Sequence, residues 1–61
     1  MEFEQIEVGE LYLFASTSNN YVIVFVENID TDNKAVLNGF DKAWLYFKDW
    51  RPIGKISVEP L

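Results

Sequence analysis

The sequence predicts an all-β fold, a small barrel of five strands that takes up residues 1–61 as a single domain. Three observations lead to this prediction. Apolar and polar residues alternate over short stretches, which is the period of a β-strand. Turn-forming residues separate these stretches at intervals of about 8–12 residues, as in small barrels and sandwiches. The stretches are also rich in β-branched and aromatic residues, which favour strands.

The first part of the chain contains two short segments with strand periodicity. In residues 3–8 apolar residues alternate with glutamates, which predicts an edge segment with one solvent-exposed face. Residues 11–15 place leucine and alanine on one face and Tyr12 and Phe14 on the other. Residues 16–20 then predict a tight hairpin, because asparagine tolerates the positive φ that such a turn requires.

Residues 21–27 form the segment most typical of a strand, because β-branched residues dominate it. Both faces of this segment are apolar. The pattern predicts either burial on both sides or a strongly bent strand shared between two sheets. After a second group of turn-forming residues, residues 34–40 predict another strand, with a bulge or bend at Gly39.

Residues 41–50 support two interpretations. In a strand, Trp44, Tyr46, Lys48 and Trp50 fall on one side. In a short helical turn, Asp41 caps the N-terminus. The aromatic residues favour the strand. Proline and glycine in residues 51–54 predict a type I turn, and residues 55–59 predict the last strand.

This arrangement resembles the SH3-like small barrels, a group that includes Tudor-type domains. The resemblance rests on an opening strand at residues 8–12, the long strand at 21–27 and the proline-containing turn before the final strand. It covers most of the chain and is a resemblance of fold. Such barrels hold Pro-rich peptides in aromatic grooves or methylated Lys and Arg in aromatic cages. The sequence contains no recognisable version of either site.

The charge is distributed very unevenly along the chain. The net charge is −5, with −7 in residues 1–33 and +2 in residues 34–61. An acidic chain is a poor general nucleic-acid binder, because such binders need clustered bases. The chain contains neither histidine nor cysteine, so the commonest general base and the strongest nucleophile are missing. We therefore expect no enzymatic activity and no cofactor.

The sequence also predicts a cytoplasmic location. The N-terminus is acidic, whereas an export signal begins with basic residues. The longest apolar run, residues 21–26, has six residues, far fewer than the ~20 that cross a membrane. The lack of cysteine is compatible with a reducing compartment.

Asp30, Asp32 and Asn33 resemble the start of a calcium-binding loop. The sixth position of that loop should be glycine and the twelfth glutamate, but this chain has Ala35 and Asp41 there. A hairpin turn capped by side chains explains the segment better. The sequence therefore predicts no metal site.

Two groups of residues are candidates for binding a partner. One is an acidic group, which could instead be a solvated edge without a binding role. It consists of Glu2, Glu4, Glu7 and Glu10. The other group contains the residue types that dominate binding hot spots, although these side chains could instead pack in the core. It consists of Trp44, Tyr46, Trp50 and Arg51.

We therefore expect a non-enzymatic, acidic protein-binding module that occupies a basic or nucleic-acid-binding surface of a larger partner. Small acidic inhibitors from phages and other mobile elements resemble this design. One alternative is a single-stranded nucleic-acid module, in which aromatic residues of the second half stack on bases and Lys42, Lys48, Arg51 and Lys55 hold the backbone. Another is a small structural homo-oligomer. The oligomeric state is expected to be a monomer or a homodimer.

Overall fold

The computed structural model describes residues 1–60, and its regular structure is almost entirely β. Five antiparallel strands form one sheet in the order β4-β3-β2-β1-β5. A short 3-10 helix (Phe3–Gln5) precedes the strands, which are β1 (Leu11–Ser16), β2 (Tyr21–Asp30), β3 (Ala35–Asn38), β4 (Ala43–Tyr46) and β5 (Trp50–Ile56). No helix of the described residues is long and apolar enough to cross a membrane.

The hairpin between β1 and β2 is confirmed. Asn19 has a φ of 64°, as a tight turn requires. The Ser16 N–H donates to the carbonyl oxygen of Asn20 at 2.7 Å, which closes the turn.

β2 is a long strand shared between two neighbours. Its first half pairs with β1 and its second half with β3, and the register shifts between Val26 and Asn28. A bulge of this kind bends a strand. The shared-strand interpretation is therefore confirmed. Burial on both sides is wrong, because Tyr21, Ile23 and Phe25 have exposed side chains on the outer face.

The opposite, inner face of the sheet carries the core. Tyr12 and Phe14 of β1 are buried there, as are Val24 and Val26 of β2. The Tyr12 hydroxyl accepts a hydrogen bond from the Glu7 N–H at 2.9 Å, so its polar end is satisfied. The cluster is completed by Ile6, Val36 and Leu45.

Residues 3–8 do not form the predicted edge strand. Phe3 and Ile6 are three residues apart, so one 3-10 turn directs both toward the core. The Phe3 ring meets the Phe47 ring edge-on, with centroids 4.7 Å apart. The packing of these apolar side chains, and not the alternation of apolar residues with glutamates, determines the structure of this segment.

The bounds of the later strands differ from those predicted. β4 ends at Tyr46, and the Asp49 N–H donates to the Tyr46 carbonyl at 2.9 Å. Residues 47–49 are therefore a turn. The favoured strand interpretation is confirmed for residues 43–46, and the alternative of a helical turn at residues 41–50 is wrong.

Residues 51–54 lie inside β5 and not in the predicted type I turn. Pro52 is buried opposite Phe14, and the register shift between Leu13 and Phe14 leaves Ile53 as an extra residue. Proline is tolerated at a bulge or on an edge strand. β5 is an edge strand, and its pairing with β1 contains a bulge.

β4 and β5 are the two edges of the sheet. Within residues 1–60 no β4–β5 ladder closes it into the predicted barrel. The turn at residues 47–49 connects the two edges. It is held by a hydrogen bond from the Thr17 N–H to the Asp49 carbonyl at 3.0 Å.

Candidate protein-binding surface

β4 places two aromatic side chains on the outer face of the sheet. Leu45 pairs with Val36, and both are buried in the core. Trp44 and Tyr46 flank Leu45 and therefore point to the opposite face. Their exposed fractions are 42% and 44%. The two rings lie on the side that the strand interpretation predicts.

The partners of these two residues form a small surface across three strands. Tyr46 pairs with Ala35, which pairs with Asp30, and Trp44 pairs with Leu37. Neighbouring strands lie about 4.8 Å apart, and alternate residues of one strand about 7 Å apart. The two rings therefore share a compact surface with one carboxylate. We call it the β4 aromatic patch: Asp30, Leu37, Trp44 and Tyr46; Ala35 is buried.

Asp30 also shapes the turn after β2. Its Oδ1 accepts hydrogen bonds from the N–H groups of Asp32 (3.1 Å) and Asn33 (3.2 Å), and its Oδ2 accepts from the Asn33 side-chain amide at 2.8 Å. The side-chain bond from Asn33, followed by its backbone bond, lowers the pKa of Asp30 below the usual 3.8. The carboxylate is therefore charged at neutral pH. The predicted capped hairpin turn is confirmed.

Trp50 does not join Trp44 and Tyr46. It begins β5, pairs with Ser16 and packs half-buried against the core. The prediction that Trp44, Tyr46, Lys48 and Trp50 share one side is wrong, because the chain turns after Tyr46.

Arg51 lines a groove together with four other charged residues. The groove has a volume of about 410 Å³. Its charged lining comes from both halves of the sequence: Glu2, Glu4, Lys34, Lys48 and Arg51. Two of the glutamates predicted as an acidic docking edge, Glu2 and Glu4, thus share a groove with three basic residues, so the uneven charge of the sequence is partly compensated in the fold.

The remaining acidic candidates are separate from this groove. Glu7 is exposed. Glu10 forms an ion pair with Lys55, with Oε2 and Nζ 3.7 Å apart. Glu27 forms an ion pair with Lys42. The structure therefore does not bring Glu2, Glu4, Glu7 and Glu10 together as one uncompensated surface.

Sequence reasoning missed an apolar surface on the outer side of β1 and its neighbours. Leu13 pairs with Ile23, and Leu11 pairs with both Phe25 and Ile56. Apolar residues on both faces of β2 were the available signal. Burial on both sides was one of the two interpretations of that pattern, but within residues 1–60 no second layer covers the outer side of this sheet. We call it the β1 outer face: Leu11, Leu13, Ala15, Tyr21, Ile23, Phe25 and Ile56.

Comparisons with protein-family models, with curated proteins and with solved structures found no match. Within residues 1–60 no three Asp or Glu side chains come together as metal ligands would. The surfaces described above are therefore the features from which a function can be argued.

Proposed function

We propose that this protein is a non-enzymatic binding module that attaches to a basic surface of a larger protein through the β4 aromatic patch. The observation that carries the proposal is the exposure of Trp44 and Tyr46 on the same face of the sheet as the charged Asp30, which lies two strands away. Trp and Tyr are the residue types most enriched at the centres of interfaces.

The chemistry of the patch fits a Lys or Arg side chain of the partner. A cation over the face of Trp or Tyr is attracted by the electrons of the ring. Asp30 and Asp32 add negative charge at one end of the patch, which speeds the encounter with a basic partner. The acidic character expected from the sequence thus acts through the turn after β2, and not through Glu2 and Glu4. An inhibitor of phage type, covering a nucleic-acid-binding surface, is one form that such a module takes.

Calorimetric titration with short peptides tests this proposal. The probes are a Lys-rich, an Arg-rich and a Glu-rich peptide of equal length. We expect the basic peptides to bind and the acidic one not to bind. Trp44→Ala should weaken binding at least ~5-fold, since truncating an aromatic anchor typically costs more than about 1 kcal/mol.

Two further variants make the titration specific. Phe40→Ala is the matched control, because Phe40 is an aromatic residue exposed by 66% outside the patch, and its affinity should be unchanged. Asp32→Asn should weaken binding about 2-fold to 5-fold at low salt and not at ~0.5 M salt. We chose Asp32 for this substitution because the Asp30 carboxylate also accepts the hydrogen bonds that stabilise the turn. Equal binding by wild type and Trp44→Ala would contradict the proposal.

The groove lined by Lys34, Lys48 and Arg51 supports a second candidate function, the binding of single-stranded nucleic acid. Three cations, against the two carboxylates of Glu2 and Glu4, border an aromatic pair, Phe3 and Phe47. This fits a phosphate backbone with a base stacked beside it. A labelled oligonucleotide should then bind at low salt and lose affinity in Lys48→Gln and Arg51→Gln. An absence of binding at low salt excludes this function.

We also propose that the sheet curls into a small SH3-like barrel. Support comes from β1, which pairs with both β2 and β5, and from the two register shifts, which bend strands in the way that barrels require. The test is nuclear magnetic resonance in solution. A barrel gives proton contacts between β4 and β5, whereas an open sheet gives none.

A further inference from the structure

We infer that the β1 outer face is a self-association surface, on which a second copy of this chain packs face to face. The inference concerns a different surface from the β4 aromatic patch and is independent of the proposed function. It begins with exposure: Tyr21 is 64% exposed, Ile23 53% and Phe25 36%. These side chains line one strand, beside the half-buried Leu11 and Leu13 of β1.

The surface extends beyond the strands. The rings of Phe40 and Phe25 have centroids 6.2 Å apart, and Phe40 is exposed. Large apolar side chains bury roughly 150–250 Å² each, so the exposed fractions correspond to on the order of 500 Å² of apolar surface. A typical monomer exposes about 300–600 Å² in its largest patch, and a stable interface buries ~800 Å² per partner. With a polar rim added, the face is large enough for a dimer.

The charges around the face favour a second copy over a charged partner. No residue of the β1 outer face is charged. The carboxylates at its border, Glu10 and Glu27, are paired with Lys55 and Lys42 of the same chain. Glu27 is close to the face: a Cβ placed on Gly39 would lie 2.8 Å from the Phe25 ring and 3.4 Å from Glu27 Oε1. Arg51, which pairs with Ala15, is the further charge at the border, and its side chain is exposed. Two such faces can meet without burying an unpaired charge if the Arg51 guanidinium stays in water at the rim.

Symmetry and size support the same occupant. A twofold dimer needs a surface complementary to itself, and an apolar sheet face packs against another at a distance of ~10 Å. A chain of about 60 residues buries only ~60% of its unfolded surface, so covering this face adds burial that the monomer lacks. The rest of the net charge of −5 repels between copies, and we therefore expect salt to strengthen the dimer.

Sedimentation equilibrium from about 10 µM to 1 mM tests the inference, since that range includes the affinity of a small interface. The wild type should dimerise, and more tightly at ~0.5 M salt. Ile23→Lys places a charge at the centre of the face and should raise the dissociation constant more than ~100-fold. Ile23→Thr, which keeps a β-branched strand residue, should raise it about 10-fold and covers the case in which the lysine variant does not fold.

Val8→Lys is the matched control, because Val8 is exposed outside the strands and does not line the depression beside Leu11, Phe25 and Ile56, and it should dimerise like the wild type. A wild type that stays monomeric to 1 mM overturns the inference. So does a dimer that survives Ile23→Lys but is lost in Trp44→Lys, since that result would assign self-association to β4. Neither result bears on peptide binding by Trp44→Ala, so the failure of this inference is distinguishable from the failure of the proposed function.

Discussion

At the residue scale, Gly39 is the glycine with the least room for a side chain among Gly9, Gly39 and Gly54. An added Cβ would lie 2.8 Å from Cδ2 of Phe25, and the Gly39 N–H donates to the Phe25 carbonyl at 2.7 Å, which holds the two backbones together. Gly39→Ala should therefore lower the free energy of unfolding by about 1–3 kcal/mol, measured by urea denaturation. Gly54→Ala is the control, because no atom lies within 4 Å of its Cβ, and it should be neutral or slightly stabilising. Equal losses in the two variants would contradict this explanation.

Lys34 carries backbone strain at the same scale. Its φ is 50°, a left-handed value that costs a residue with a Cβ about 1 kcal/mol. Lys34→Gly should raise the free energy of unfolding by up to ~1 kcal/mol, observable as a higher midpoint in urea. Lys34→Ala removes the same charge and keeps the Cβ, so it should show no such gain. A gain in both variants would assign the effect to charge instead.

At the scale of elements, the turn after β2 links stability to pH. The hydrogen bonds from Asn33 keep the pKa of Asp30 below 3.8 in the folded state. A carboxyl group with a lowered pKa stabilises the fold above its unfolded pKa, and the contribution is lost as the pH falls through the folded value. The stability difference between wild type and Asn33→Ala should thus be constant near neutral pH and shrink below pH 3.8. A difference that persists unchanged at pH 2 would contradict the role of Asp30.

Local sequence patterns predict an element correctly where its own alternation of residues or its turn residues determine its structure. The β1–β2 hairpin and the outward direction of Trp44 and Tyr46 follow from alternation and turn chemistry. Residues 3–8 and 51–54 did not follow, because packing decided them: Phe3 contacts Phe47, and Pro52 is buried opposite Phe14. Partners so distant in sequence are invisible to a local pattern. For the same reason a local pattern did not indicate that Glu2 and Glu4 share a groove with Lys34 and Arg51.

At the scale of the whole molecule, a single sheet of five strands has one buried face and leaves much of the other uncovered. The β4 aromatic patch and the β1 outer face lie at different places on that outer side. We therefore assign the two surfaces different occupants, a basic partner protein and a second copy. Saturating the protein with a basic peptide should leave the sedimentation dimer intact. Dissociation of the dimer by the peptide would show that the two surfaces are one.

The most direct test of the central claim is a ¹⁵N–¹H spectrum recorded during titration with the Lys-rich peptide. The claim is that a basic partner binds the β4 aromatic patch. We expect the largest shift changes at Trp44, Tyr46 and Leu37, including the indole N–H of Trp44, and small changes at the core residues Val24 and Val36. Shift changes concentrated around Glu2, Glu4 and Glu7 would contradict the claim and restore the acidic N-terminus as the docking site.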